Sequence, residues 1–310
     1  MILKYMTHKS TSLHNLNADK GLNKIQKKLY LILNWINNQF PYTNIDKSLV
    51  ICDFRCDDLR KYCPIKSSPA RWLSDLFLQK LPWDQIYREL GRIKVMDTGC
   101  GTGDYGIRLI DYSNNRISCY CGSDIHYHAN WEKLEDRYPH LHFFQTDGKN
   151  ILDYIPDGTN FFMTVSAIEH FEEDLSYFHQ IRDYIRSYHS SVIQIHLFPS
   201  SSCLALYRSH GVRQYTPRNI SKITRLFNDS SYSVLFSMGG KACNDLHYEF
   251  ITRPLYILKI GDMRDLETWE YDKKLLQAIE QDMKYSQNSQ KSPTFYALVI
   301  HSNWKKKMFL

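Results

Sequence analysis

The stretch VMDTGCGTGDYG, residues 95–106, constrains this chain more than any other. An apolar run, IKVMD at 93–97, ends on an acid and is followed at once by Gly99, Gly101 and Gly103. Glycines in that place let the backbone turn sharply and approach a ligand with no Cβ in the way. A phosphate is the usual guest of such a loop. Here the spacing is Gly-x-Gly-x-Gly, and Asp97 would repel a pyrophosphate while suiting a cationic group.

Around the loop, short apolar runs alternate with helical segments. Strands are predicted at 93–97, 117–124, 141–147, 160–170, 191–198, 232–238 and 295–302, with helices between them. That order predicts a doubly wound, mostly parallel, seven-stranded sheet of Rossmann-like α/β class, covered by helices on both faces. Two further acids fall at strand ends. Asp124 lies 27 residues after Asp97, where a carboxylate can accept both hydroxyls of a ribose, and Asp147 closes the third strand, where one can accept from an adenine amine. A cationic amino acid attached to an adenosine describes S-adenosylmethionine, whose ammonium and sulfonium are both positive, better than it describes NAD.

With the glycine loop, Asp124, the TDG of 146–148 and the SAIEHF of 166–171 in this order, the chain resembles the class I S-adenosylmethionine-dependent methyltransferases over about residues 91–240 and a last strand near 295–302. The resemblance implies S-adenosylmethionine as cofactor and S-adenosylhomocysteine as product. It places Asp97 beneath the methionine amino group, Gly99 and Gly101 on the loop floor with Gly103 completing it, and Asp124 on the ribose. Asp147 and the backbone at Gly148 would bind adenine, though Asp147 could instead cap a turn. Ala167 to Glu169 would line the pocket over the methyl group.

Methyl transfer asks the protein to position a nucleophile and exclude water, and an oxygen or nitrogen acceptor can need a base. The histidines at strand ends, His170, His196 and His210, are the candidates, each weighed against a packed core role. In the loop 199–215, Tyr207, Arg208, Arg213 and Tyr215 could grip an anionic or sugar-like acceptor. The expected reaction is therefore methylation of an oxygen, less readily a nitrogen, on a small-molecule or glycan-type acceptor.

Residues 1–90 match nothing in the resemblance. They read as a mainly helical cap, with Ile25, Leu29, Ile32 and Ile36 at helical spacing and Ser68-Pro69 opening a second helix. Arg71, Trp72 and Trp83 are acceptor-contact candidates there, and the region is a candidate dimerisation arm. It holds 14 Lys/Arg against 8 Asp/Glu, while residues 91–310 hold 25 against 25, so the whole net charge of +6 lies in the first third. A basic lobe admits RNA as an acceptor. No Asn-Pro-Pro-Tyr-like tetrapeptide follows the fourth strand, however, and Ile168-Glu169-His170 stands there instead. A silent cofactor-binding scaffold is the remaining reading. Residues 91–310 form the expected catalytic domain, with an insertion at about 239–294.

The rest excludes more than it specifies. No apolar run reaches a bilayer's thickness, and the first twenty residues lack a secretory apolar core, so a cytoplasmic location is expected. Eight cysteines are too irregularly spaced for a disulfide framework. Cys52, Cys56 and Cys63 fit neither a zinc ribbon nor an iron–sulfur motif, Cys119 and Cys121 share one strand face, and no metal is read from the sequence.

Overall fold

The computed structural model describes residues 8–57, 59, 66–266, 268–284 and 292–310. Its strands are β1 (Leu49–Asp53), β2 (Ile93–Thr98), β3 (Ile117–Asp124), β4 (Leu141–Gln145), β5 (Phe161–Val165), β6 (Val192–Pro199), β7 (Ser231–Met238) and β8 (Phe295–Ser302). They form one sheet in the order β1-β7-β8-β6-β5-β2-β3-β4. β8 runs antiparallel between β6 and β7, and the other pairings are parallel.

The expectation of seven strands is corrected to eight. The run at 49–53 pairs in register with Ser233–Ser237 of β7, whose outer backbone groups would otherwise have no partner. The fourth strand also ends early. β5 stops at Val165, Ser166 takes φ +50°, and Ile168–His170 form a 3-10 turn, so Glu169 and His170 leave the sheet. β4 likewise stops at Gln145.

Neighbouring residues along each strand feed opposite cores, as a doubly covered sheet requires. On one face Val95, Phe161, Ile193 and Val299 meet α2 (Pro69–Gln79) and α3 (Trp83–Leu90) through Trp72, Leu76 and Ile86. On the other, Met96, Phe162 and Leu298 meet Phe178 and Ile181 of a later helix, Asp174–Tyr188. Ser68 caps α2 through the N–H of Arg71, with Pro69 in the first turn, as the sequence predicted. Trp72 and Trp83 are buried core residues of this layer, which corrects their reading as acceptor contacts.

The first helix, α1 (Lys24–Gln39), faces the opposite way from its periodicity. Ile25, Leu29 and Ile32 point to solvent at 72%, 45% and 54% exposure, while Tyr30, Asn34 and Asn37 are buried. The polar side turns inward because it has backbone to hold. Tyr30 Oη donates to the carbonyl of His210 at 2.7 Å, and Asn34 Nδ2 donates to that of Val212 at 3.2 Å. Between β7 and β8 lie helices at Lys241–His247, Met263–Leu266 and Thr268–Lys284, within the expected insertion. Among the described residues no helix is long and apolar enough to cross a membrane.

Candidate functional site

β2 pairs with β3 on one side and β5 on the other, so the chain order reverses at the carboxyl end of β2. Ligands of open parallel sheets bind at such a switch point. The glycine loop stands there. Gly99 takes φ +79°, and a Cβ on it would lie 2.5 Å from that of Ala167, so only glycine lets the loop and the turn after β5 meet. Gly99 and Cys100 both donate N–H to the Ser123 carbonyl, at 2.7 and 3.0 Å. Gly101 donates its N–H to Asp124 Oδ2 at 3.0 Å, and the space where its Cβ would stand is open. Gly103 packs against Phe143 and ends the loop at the start of the helix Asp104–Tyr112.

Beneath the loop lies Asp97, 1% exposed. Tyr120 donates its hydroxyl to Oδ2 at 2.6 Å, and Oδ1 is buried with no hydrogen-bond partner. Burial pushes the carboxyl up to about 7; Asp124 adds to the rise, while the Tyr120 bond and Arg71 oppose it. Tyr120 escaped the sequence reading, although it sits in register with Val95, one strand over. Asp124 accepts from the N–H groups of Gly101 and His126, which leaves each oxygen a further lone pair. Asp147 is exposed and accepts the Lys149 N–H at 2.9 Å, and Gly148 follows at φ +71° in the same turn.

A second group lies past the turn after β5. Glu169 is 1% exposed, and among the described residues no other residue donates a hydrogen bond to its carboxylate. Its Oε1 stands 3.9 Å from His170 Nε2 and 3.9 Å from His210 Nε2. The two imidazoles meet edge to face, with centroids 4.6 Å apart, and both are partly exposed. His170 Nδ1 is 2.6 Å from Asp19 Oδ2. Burial, aided by His170, lowers His210 to about 4 against the pull of Asp19. Burial also raises Glu169 to about 7 against the pull of His170. Val212 N–H donates to the Glu169 carbonyl at 2.8 Å, which pins the 208–214 loop over this turn. A Cβ at Gly211, φ +61°, would lie 2.6 Å from that same carbonyl.

Three sequence candidates move out of the site. His196 lies fully buried in mid-sheet, its Nδ1 3.0 Å from Thr164 Oγ1, and burial drives its pKa down to about 3. It is a satisfied core histidine. Arg213 is also fully buried, giving its guanidinium to the carbonyls of Phe171 and Glu172, to Ser10 Oγ and to Asp174 at 3.5 Å. Tyr215 donates to Ile168 O and to Asp174 Oδ2. These two residues knit the loop to the body and reach no acceptor. Arg208 is exposed at φ +52°, and Tyr207 stacks obliquely on His210 with centroids 5.2 Å apart. Cys119 and Cys121 bring their sulfurs to 3.8 Å without bonding, while Cys63 lies outside the described residues.

The chain has a Rossmann-like fold. No protein-family model matches it, and no curated protein matches it in sequence. Among solved structures it is similar to a SAM-dependent methyltransferase from Archaeoglobus fulgidus, with 18% identity over 72% of this chain and 94% of that one at a TM-score of 0.40. A likely methyl transferase of the COG1565 superfamily from Burkholderia thailandensis, bound to S-adenosyl-homocysteine, has 10% identity over 77% and 79% at 0.44. Coclaurine N-methyltransferase, bound to N-methylheliamine and SAH, has 11% identity over 97% and 98% at 0.43. The likeness is remote, so the functional reading rests on this chain's own residues.

Proposed function

We propose that the chain is an S-adenosylmethionine-dependent methyltransferase acting on an oxygen of a small-molecule or glycan-type acceptor. The buried, unpartnered Oδ1 of Asp97 under a glycine loop carries this reading. A lone buried carboxylate oxygen is costly unless a donor or cation meets it, and an α-ammonium at that point supplies both. The open side of Gly101 and the spare lone pairs of Asp124 suit a ribose laid across the loop. When bound, the cofactor supplies a methyl carbon activated by its sulfonium leaving group.

The rest of the task belongs to protein side chains. Asp97 holds the amino group, Asp124 orients the ribose, and Ala167 closes against Gly99 beside the reacting end. Asp147 answers a turn N–H with one oxygen, so its share in adenine binding falls to the other oxygen and to the Gly148 backbone. At the acceptor end the neutral imidazole of His210 is the candidate base, and His170, its Nδ1 held by Asp19, packs edge to face against it. A hydroxyl needs that help more than an amine, which attacks with a free lone pair, and this favours oxygen. Tyr207 and Arg208 remain the acceptor contacts of the 199–215 loop. The outward apolar stripe of α1, Ile25, Leu29, Ile32 and Trp35, is the face we assign to pairing with a second copy.

Calorimetric titration with S-adenosylhomocysteine, with NAD as control, tests the cofactor. Micromolar binding of the former alone is expected, lost in Asp124→Ala. Binding of NAD in its place, or of neither, would overturn the reading. Transfer of labelled methyl to matched hydroxyl and amine acceptors tests the atom, with label expected in ethers or esters.

A further inference from the structure

We infer that Glu169, His170 and His210 form a binding site for one divalent transition-metal ion at the acceptor end of the cleft. One atom from each residue, a carboxylate oxygen and two imidazole nitrogens, lies within 4.8 Å of the other two. At 3.9 Å, Glu169 Oε1 is too far from either Nε2 for a hydrogen bond. The spacing instead matches three side chains that converge on one point. Bonds of about 2.0–2.2 Å to a central metal bring such ligand atoms to roughly 3–3.5 Å of one another, so side-chain rotations that draw the three atoms inward complete the set.

The buried partner supplies the independent sign. Glu169 is 1% exposed, and among the described residues no other residue donates a hydrogen bond to either carboxylate oxygen. Buried carboxylates are paired or bind metals, because an isolated one gives up its hydration for nothing. Its carbonyl accepts from Val212, so the backbone at this residue is held while the side chain stays unanswered. The histidines are set up in the manner of ligands. His170 turns Nδ1 to Asp19 Oδ2 at 2.6 Å, and Asp19 Oδ1 accepts the Gly211 N–H at 3.2 Å. A carboxylate on one ring nitrogen fixes the tautomer and leaves Nε2 with its lone pair toward Glu169, as in carboxylate–histidine–metal triads. Asp19 is thus a positioning residue, contributed by the N-terminal segment.

Two nitrogens and one carboxylate suit zinc, cobalt or manganese, whereas magnesium prefers an all-oxygen shell. The partial exposure of both imidazoles leaves open positions on the ion for water or an acceptor oxygen. That last role rests on the methyl-transfer reading; the site itself does not. With the ion in place the imidazoles act as ligands, and the acceptor hydroxyl, acidified by the metal, gives its proton to solvent as its oxygen bonds the methyl carbon and the carbon–sulfonium bond breaks.

The test strips the full-length protein with a chelator and titrates it with Co2+, following visible absorption and, for Zn2+ and Mn2+, heat. One ion per chain is expected, with affinity falling at least about 100-fold in His210→Ala and in the near-isosteric Glu169→Gln. Asp19→Asn should weaken it about 10–100-fold, as loss of an outer-shell partner does. Circular dichroism and urea unfolding of the same samples should show that all variants are folded, and S-adenosylhomocysteine is titrated into the wild-type chain. A stripped chain that binds S-adenosylhomocysteine yet takes up none of the three ions overturns the metal site. So does uptake that is equal in wild type and both ligand variants. Normal Co2+ uptake without S-adenosylhomocysteine binding would support the metal site and sink the methyltransferase reading instead.

Discussion

The two halves of the cleft are built on opposite plans. The half under the glycine loop comes from one unbroken stretch: Asp97, the loop and Asp124 stand on adjacent strands β2 and β3, and their spacing follows from one strand–helix–strand unit. The half around Glu169, His170 and His210 is assembled from three distant segments. Asp19 meets His170 across 151 residues of chain, and His210 arrives on a loop held by Tyr30, Asn34 and Arg213. A contiguous motif can be read as a string, whereas a constellation exists only once the chain has folded. The difference also shows in what each half does with its polar groups. The first leaves one oxygen of Asp97 unanswered within an otherwise satisfied loop, and the second leaves a whole carboxylate unanswered.

Arg213→Ala separates building from binding and should have the largest effect. Its guanidinium is fully buried, bonded to three carbonyls and Ser10, and paired with Asp174. Removing one partner of such a pair leaves a stranded buried charge, a loss of about 3–5 kcal/mol. Urea unfolding should show that loss as a lower midpoint. Unchanged stability together with lost acceptor affinity would return Arg213 to the acceptor and break the division drawn between the two halves.

Asp97→Asn probes the contiguous half more gently, since the amide oxygen can keep the Tyr120 bond. S-adenosylhomocysteine should bind about 100-fold more weakly, about 2.7 kcal/mol by the tenfold-per-1.4 relation, with the fold intact. Binding within threefold of wild type would mean that Asp97 only anchors Tyr120.

The same residue gives a pH test. The Asp97 carboxyl is raised by burial to about 7 from its ordinary value near 3.8. Between those values the empty folded chain binds more protons than the unfolded one, so this group costs stability as pH rises from about 4 and levels off above about 7. Buried histidines such as His196 and His301 push the other way over the same range, because their lowered values favour the fold as pH rises. Only the difference between wild type and Asp97→Asn isolates the carboxyl, and the variant should gain relative stability toward pH 7. A cationic ligand prefers the ionised form. Affinity for S-adenosylhomocysteine should therefore rise from pH 5.5 to about 7 in wild type and stay flat in the variant. A flat wild-type profile would remove the ammonium from Asp97.

These contrasts explain what the sequence disclosed. The Rossmann-like order was legible because strand and helix periods alternate cleanly from Arg92 onward, and the helix caps at Ser68 and Thr216 stand where their residue types predict. The eighth strand lies in the N-terminal region read as a mainly helical cap, where nothing local said that the edge of β7 would take it. His196 and Arg213 misled because a strand-end histidine and a loop arginine look alike whether they meet substrate or backbone. Only burial and partners tell them apart. Glu169 was read as pocket lining, and its nearness to His210 could not be, since 40 residues of helix, strand and loop intervene.

Helix α1 gives the smallest expected effect and a sharp one. Its periodicity predicted an apolar face turned inward, yet the buried face is the one that can donate to loop carbonyls at His210 and Val212. Buried carbonyls without partners cost more than exposed isoleucines, since lone surface apolar groups are tolerated while unmet polar ones are not. If the outward stripe is the pairing face, Ile32→Glu should leave unfolding within about 0.5 kcal/mol, as for a surface change, and shift sedimentation from dimer to monomer. The paired contrast is Asn34→Leu, which keeps the stripe but removes the donor to Val212. It should leave pairing intact, loosen the 208–214 loop, and speed amide exchange there. Should Ile32→Glu destabilise the chain by several kcal/mol instead, the stripe packs on the chain's own body, and the N-terminal region joins the acceptor half as a built part of it.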